Sequence, residues 1–264
     1  MTLRKPDSHL NNSCAFFNTD AICLKTLEGK NNSIVIFLFT KEFGPLVVFS
    51  KISLKKKSNT LSNLDIGQEI SVTLNKKNDS YYLKECSLKT CFNYSDYSAL
   101  ILSGFVLEIS SNLPEEIAIK FDVFYNLLLK TLGAISEKKA PFNHVINFQI
   151  KLLEFTGNSG DVLFCSKCQN KIPENENSYA ENNYWNFFCK DCYNGSNNTL
   201  ILNNEERVIL SQWMNSETSS NISDIHLAKP IVIKIQKYLF QVYADMFTLK
   251  TLPQLAQLLN EKLK

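Results

Sequence analysis

The segments Cys165-Ser-Lys-Cys168 and Cys189-Lys-Asp-Cys192 place two C-x2-C pairs 20 residues apart in the chain. Each pair can direct two thiolates at one point, so the four sulfurs would complete a tetrahedral shell around Zn²⁺. A filled shell leaves no open position for water or substrate, which predicts a structural metal. The alternative is a set of unrelated thiols or of redox C-x-x-C motifs, although a redox motif normally stands alone at a strand-to-helix junction.

Aromatic residues between the two pairs can form a small hairpin around the metal. They are Tyr179, Tyr184, Trp185, Phe187 and Phe188. We therefore expect a zinc module at about 163–195. The remaining cysteines, Cys14, Cys23, Cys86 and Cys91, have no metal-ligand spacing. We expect them to be free thiols in a reducing cytosol.

Upstream of this module, short apolar runs separated by turn residues predict five β-strands. The predicted strands are 21–27, 34–40, 46–52, 69–74 and 81–88. Five short strands in about 70 residues are typical of a small closed barrel, of which the OB-fold is the commonest nucleic-acid-binding type. The polar, aperiodic residues 1–18 are expected to be a flexible leader outside the barrel, which would span 19–92.

From Asn93 onward the apolar period changes from two to about 3.6 residues, which predicts helices. The second helix is expected to begin at Asn112, a cap residue followed by Leu-Pro-Glu-Glu. The predicted helices are 97–109, 112–135, 141–157, 204–215, 230–245 and 253–262. The sequence therefore predicts a multi-domain β + α protein: an N-terminal OB-fold five-stranded β-barrel, then an α-helical domain at 93–264 with the four-cysteine zinc module inserted in it.

The sequence gives no support for nucleotide hydrolysis, for dinucleotide chemistry or for a catalytic triad. It has no G-x-x-x-x-G-K-[ST] or G-x-G-x-x-G segment, and His9, His144 and His226 are not paired with a nucleophile at motif spacing.

One predicted helix carries an apolar stripe, which we interpret as part of the core, with a peptide-binding groove as the alternative. The stripe consists of Phe121, Phe124, Tyr125, Leu128 and Leu132.

The formal net charge of +2 conceals a difference between the two parts of the chain. From Asp20 to Phe92 there are 11 lysines against 7 acidic residues, a surplus of +4, whereas Asn93 to Lys264 has 15 basic and 18 acidic residues, a balance of −3. This asymmetry indicates that the N-terminal region binds a polyanion. No basic and apolar leader opens the chain and no apolar run could span a bilayer, so we expect a soluble, cytoplasmic protein.

Lysines and tyrosines on and near the third, fourth and fifth strands are the candidate DNA-binding residues. They are Lys51, Lys55, Lys56, Lys57, Lys76, Lys77, Tyr81 and Tyr82. Lysines neutralise phosphates and aromatic rings stack on bases, so this set suits single-stranded nucleic acid. The alternative is a solvated lysine-rich turn, with one of the two tyrosines facing the barrel core because side chains alternate along a strand.

Several stretches are similar to one known family. Leu38-Phe39-Thr40 followed by Gly44, and Tyr82-Leu83-Lys84-Glu85, match its barrel strands, and the segment from Phe148 through Leu-Leu-Glu154 to Gly157 matches the helix before its first knuckle. The chain resembles the RecO family of bacterial recombination mediators over roughly residues 20–260. The resemblance lies in these stretches and in the order of an N-terminal barrel followed by a helical domain with an inserted four-cysteine element.

The resemblance implies a non-enzymatic protein of DNA repair and recombination. Such a protein would bind single- and double-stranded DNA, anneal complementary strands and, with a RecR partner, help to load RecA on DNA coated by single-stranded-DNA-binding protein. It would also be associated with the bacterial nucleoid and carry a structural zinc ion. The alternatives are a zinc-containing protein-interaction scaffold without DNA affinity, or a thiol redox enzyme.

Overall fold

The computed structural model of the chain describes residues 15–29, 33–51, 64–113, 120–181, 185–195, 199–215 and 227–262. The chain separates into two compact units, Met1–Thr90 and Cys91–Lys264. None of the helices in the described ranges is long and apolar enough to cross a membrane.

The first unit contains a closed β-barrel. Its strands are β1 (Ala15–Glu28), β2 (Ser33–Thr40), β3 (Gly44–Lys51), β4 (Glu69–Lys77) and β5 (Ser80–Thr90). The strand order is β1-β2-β3-β5-β4, and β4 closes the barrel by pairing with β1. Neighbouring strands are antiparallel except for β3 and β5, which run parallel and pair Val48 with Tyr81 and Phe49 with Tyr82. The predicted five-stranded OB-type barrel is confirmed.

Alternation along each strand builds the barrel core. In β4, for example, Ile70, Val72 and Leu74 point inward and are fully or almost fully buried. The buried core consists of Ala21, Cys23, Ile36, Leu38, Val48, Leu64, Ile70, Val72 and Leu74. Burying each large aliphatic side chain stabilises the fold by about 1.5–3 kcal/mol relative to leaving it in water. Because one face of each strand is buried in this core, the opposite face is the one that a ligand can contact.

Strand β1 begins earlier than the sequence predicts. It starts at Ala15, so residues 15–18 belong to the barrel and the expected leader of 1–18 is wrong at its C-terminal end. The first half of β1 pairs with β4, and Phe17 packs against the core. The polar residues Asn18-Thr19-Asp20 interrupt the apolar pattern, which is why the strand could not be recognised locally. From Ala21 onward β1 pairs with β2, and a bulge between Cys23 and Lys25 shifts the register of that pairing.

The second unit is helical. Its helices are α1 (Tyr97–Ser111), α2 (Phe121–Ser136), α3 (Pro141–Phe155), α4 (Asn204–Asn215), α5 (Lys229–Met246) and α6 (Leu252–Lys262). Helix α3 packs against α1, α2 and α5 and is correspondingly buried along most of its length. In the predicted stripe on α2, Phe124, Tyr125, Leu128 and Leu132 are buried and Phe121 is half-buried, so the core interpretation is confirmed.

The start of the second helix differs from the prediction. Asn112 does not cap α2; it ends α1, and its N–H donates to the Ile109 carbonyl at 3.0 Å. Lys120, with an extended backbone, directly precedes α2 at Phe121. The cap-like composition at Asn112 is equally suited to the end of one helix, because a short polar side chain tolerates both termini. The Glu115-Glu116 segment lies outside the described residues.

The described residues between α3 and α4 include three short strands. They are β6 (Ser178–Ala180), β7 (Phe187–Phe188) and β8 (Leu200–Leu202), arranged antiparallel in the order β7-β6-β8. Helix α3 ends just before Gly157, whose φ of +72° is a left-handed conformation that favours glycine after a helix. The cysteine module is therefore an insertion in the helical unit, as predicted.

Candidate metal centre and nucleic-acid surface

The four cysteines of the C-x2-C pairs converge on one point. The Sγ atoms of Cys165, Cys168, Cys189 and Cys192 all lie within 4.8 Å of one another, and those of Cys168 and Cys189 are 4.0 Å apart. A tetrahedral thiolate site with metal–sulfur bonds of about 2.3 Å requires sulfur–sulfur distances of about 3.8 Å. The cluster therefore has the size and the donor set for a single metal ion.

Backbone hydrogen bonds shape the first knuckle. The Gln169 N–H donates to the Cys165 carbonyl at 2.8 Å, and the Cys165 N–H donates to the Asn170 carbonyl at 2.9 Å. Gln169 adopts a left-handed φ of +62°, which reverses the chain within the knuckle. The Ser166 N–H then donates to the Phe187 carbonyl at 2.7 Å, so the knuckle is attached to β7.

The second knuckle and the hairpin complete the module. The N–H groups of Cys192 and Tyr193 donate to the Cys189 carbonyl at 3.1 and 3.0 Å. The Tyr193 ring stacks on Tyr179 with centroids 4.4 Å apart, and buried Trp185 meets Phe187 edge to face. The predicted aromatic hairpin is confirmed in β6 and β7, whereas Tyr184 lies outside the described residues.

The electrostatics of the cluster favour a bound cation. Burial alone would raise the pKa of Cys165, but N–H groups of Cys168, Cys189 and Lys167 donate to its sulfur and bring the pKa down to about 6. The pKa of Cys192 is raised to about 12, chiefly by its hydrogen bond with Cys189, and burial raises that of Cys189. Four adjacent thiols thus resist ionising together, and a shared metal ion removes this conflict because it stabilises every thiolate.

Arg207 anchors the module to α4, and the sequence did not identify it. The guanidinium is almost fully buried, and it donates to the backbone carbonyls of Ile172 (3.2 Å), Pro173 (2.8 Å) and Glu176 (3.0 Å). Burial lowers the pKa of Arg207, and the charges of Glu174 and Glu176 oppose that shift. The only feature of the sequence that distinguishes Arg207 is that arginine is rare in this chain, which contains two.

The candidate DNA-binding residues divide into described and undescribed groups. Lys55, Lys56 and Lys57 lie outside the described residues. Lys51 is exposed at the end of β3, and the exposed Lys76 and Lys77 end β4. The β4–β5 hairpin pairs Lys76 with Tyr81 and Asn75 with Tyr82, and β3 runs beside β5, so the described candidates share one region of the barrel.

Alternation then separates the two tyrosines. Tyr81 packs against the barrel core, meets Phe17 edge to face at 5.9 Å, and has the Lys76 Nζ 5.6 Å from its ring centroid. Tyr82 points outward, is 41% exposed, and lies 6.0 Å from the Phe49 ring. The expectation that one tyrosine faces the core is confirmed, and of these two tyrosines Tyr82 is the exposed one.

Two further thiols are in an unreactive environment. Burial raises the pKa of Cys23 to about 12 and that of Cys86 to about 11, and both side chains face the barrel core. A thiolate nucleophile requires a depressed pKa and access to solvent, neither of which Cys23 has. Burial has the opposite effect on the imidazole of His144, because it lowers the pKa and so favours the neutral form.

Comparison with known proteins agrees with this architecture. The family model described as "Recombination protein O N terminal" matches residues 15–92, and "Recombination protein O C terminal" matches residues 94–252. The DNA repair protein RecO of Clostridium acetobutylicum is 26% identical over 184 residues, which cover 67% of this chain and 72% of that protein.

Two more relatives match over greater lengths. The DNA repair protein RecO of Clostridium kluyveri is 22% identical, with 88% of this chain and 90% of that protein covered. The DNA repair protein RecO of Clostridium perfringens is 23% identical, with 85% of this chain and 99% of that protein covered. The two family models meet near the boundary between the barrel and the helical unit, and the C-terminal model alone spans more than half of the chain. The chain therefore belongs to the recombination protein O family.

Proposed function

We propose that this protein is a non-enzymatic mediator of DNA repair and recombination, which binds single- and double-stranded DNA and anneals complementary strands. The observation that carries the proposal is the OB-type barrel, in which the exposed Lys76, Lys77 and Tyr82 share the β4–β5 hairpin and Lys51 ends the neighbouring strand β3. The relatives' name, DNA repair protein, supports the same conclusion.

Charge neutralisation is the proposed mechanism of annealing. Two DNA strands repel each other, and a cationic surface that releases counterions from both lowers this barrier. The contributing residues are Lys51, Lys55, Lys56, Lys57, Lys76 and Lys77, which are six of the 11 lysines between Asp20 and Phe92, the region with the +4 surplus. No covalent bond changes in this scheme, so no nucleotide is consumed.

The metal in the four-cysteine cluster is proposed to be Zn²⁺ in a structural role. Cys165, Cys168, Cys189 and Cys192 would fill its tetrahedral shell, because four thiolates are the donor set of closed zinc sites. Such a site supplies folding free energy and no chemistry toward DNA. The module would then stabilise the surface that the helical unit offers to protein partners, for which the family resemblance suggests RecR and single-stranded-DNA-binding protein, with loading of RecA as the result.

Titration of labelled oligonucleotides at several salt concentrations tests the proposal. The logarithm of the binding constant should fall linearly with the logarithm of salt concentration, by about 0.7 per neutralised phosphate for single strands. Changing Lys55, Lys56 and Lys57 together to Ala should reduce that slope by about 2 and weaken all sequences equally. Lys237→Ala, at an exposed position on α5, is the control. A folded, metal-loaded protein that binds no DNA at low salt would favour the scaffold alternative.

A further inference from the structure

A row of outward-facing side chains, one from each strand, runs around the closed barrel, and three of its members are aromatic. The strand registers pair Val35 with Phe49, Phe49 with Tyr82, Tyr82 with Asn75, and Asn75 with Phe16. Paired residues of neighbouring strands lie on the same face, about 4.8 Å apart in the direction across the sheet. The exposed fractions are 54% for Phe16, 36% for Phe49 and 41% for Tyr82. We call Phe16, Phe49 and Tyr82 the outer aromatic row.

The geometry of the row suits side-by-side stacking. The ring centroids of Phe49 and Tyr82 are 6.0 Å apart, and the ring planes are tilted by 42°. A base inserted between two rings needs a separation of about 7 Å, which is two stacking distances of about 3.4 Å, so no base fits between these two rings. Each ring can therefore offer only its outer face to one base. The exposed rings of Phe49 and Tyr82 are neighbours, whereas Asn75 on β4 separates Phe16 from Tyr82. Adjacent exposed rings, unlike rings scattered singly, indicate a binding surface.

Cations accompany the row, together with one exposed carboxylate, that of Glu85, which pairs with Thr73 two positions before Asn75 on β4 and therefore shares its face. The Lys84 Nζ lies 4.5 Å from the Phe16 ring centroid. Lys51 follows Phe49 by two positions on β3 and therefore shares its face. Flat apolar faces flanked by positive charge match a ligand that alternates aromatic bases with phosphates. An apolar protein partner would not require these cations, and a duplex hides the faces of its bases within the stack.

We infer that the outer aromatic row stacks on the bases of single-stranded nucleic acid and gives the barrel a preference for single strands over duplex. This inference rests on the proposed function, since it assumes that the barrel binds DNA. It adds Phe16, Phe49 and Lys84 to the residues expected from the sequence and assigns them a different task. The lysines supply affinity for any phosphate backbone, whereas the rings distinguish unpaired bases from paired ones.

The test uses the full-length, metal-loaded protein carrying Phe49→Leu and Tyr82→Leu together. Leucine keeps the apolar surface but removes both ring faces. Loss of one stacking contact corresponds to about 5- to 150-fold in affinity, so the double variant should bind a single-stranded oligonucleotide at least about 25-fold more weakly. Binding to a duplex of the same sequence should change less than about twofold, and the salt slope should be preserved. Phe49→Trp alone should retain or strengthen single-strand binding, with quenching of the new tryptophan's fluorescence.

Phe43→Leu is the matched control, because Phe43 is 46% exposed on the same barrel but belongs to the β2–β3 turn. Thermal unfolding establishes that each variant is folded. If the double variant binds single strands like the wild type, or loses duplex binding equally, the stacking role is refuted while the proposed function stands. If the wild type binds neither form of DNA, the proposed function fails and this inference fails with it. Loss of self-association in place of single-strand binding would also refute it.

Discussion

Replacement of Arg207 by methionine should destabilise the helical unit and weaken its hold on the metal. Methionine has a similar length but cannot donate to the carbonyls of Ile172, Pro173 and Glu176, which Arg207 contacts at 2.8–3.2 Å. These carbonyls lie a few residues after the first cysteine knuckle. Without the guanidinium, the segment between the knuckle and β6 loses its attachment to α4.

The magnitude follows from two opposing effects. Each hydrogen bond from a charged donor contributes about 1.5–3 kcal/mol, so the loss of three such bonds is a large penalty. Removing a buried charge returns several kcal/mol of desolvation free energy, which offsets part of that loss. We expect a net decrease of about 2–4 kcal/mol in the free energy of unfolding. At about 2–4 °C per kcal/mol for a domain of this size, the melting temperature should fall by about 10 °C.

Calorimetric unfolding of the metal-loaded protein, combined with competition against a chromophoric zinc chelator, measures both effects. Each 1.4 kcal/mol of destabilisation that falls on the cysteine module should weaken metal binding about tenfold, because metal binding and folding of the module are coupled. Arg207→Lys should be intermediate, since an ammonium lacks the planar fork of donors. Lys237→Met on the exposed face of α5 is the control. A melting temperature for Arg207→Met within about 2 °C of the wild type, with unchanged metal affinity, would refute the anchoring role.

Three further predictions concern the metal, annealing and pH. Cys189→Ser should abolish metal binding and unfold the module, which metal analysis and thermal unfolding would detect; unchanged stability of the metal-free protein would contradict a structural metal. Complementary oligonucleotides should pair faster with the protein in the absence of ATP, and this acceleration should fade as salt rises; a requirement for ATP would count against the mediator role. Burial by itself raises the pKa of Glu108, but the carboxylate accepts hydrogen bonds from Thr251 and from the Lys250 N–H, and these lower the pKa overall. Since the folded pKa lies below the unfolded one, its contribution is present above about pH 4.3 and is lost as pH falls through the folded pKa. Glu108→Gln should therefore be less stable than the wild type near pH 7 and approach it below about pH 4, as pH-dependent melting would show.

The four-cysteine cluster was predictable from the sequence because its information is local. Two C-x2-C pairs specify four thiol donors that could hold one metal ion, and the structure brings the four sulfurs within 4.8 Å of one another. The strands and most helices could be predicted for a similar reason. Apolar period and turn residues located α4 at Asn204–Asn215, because a strongly amphipathic segment buries one face in any packing.

Only the tertiary structure decided which side chains share a surface. Tyr81 and Tyr82 are equivalent candidates in the sequence, but the barrel buries one ring against its core and exposes the other. Phe16 appeared to be part of a leader until β1 paired with β4, and its place beside Asn75 depends on that register. Arg207 likewise acquires its role from carbonyls more than 30 residues earlier in the chain. Pairing between distant segments is selected by the burial of the whole core, and no local pattern contains that free energy.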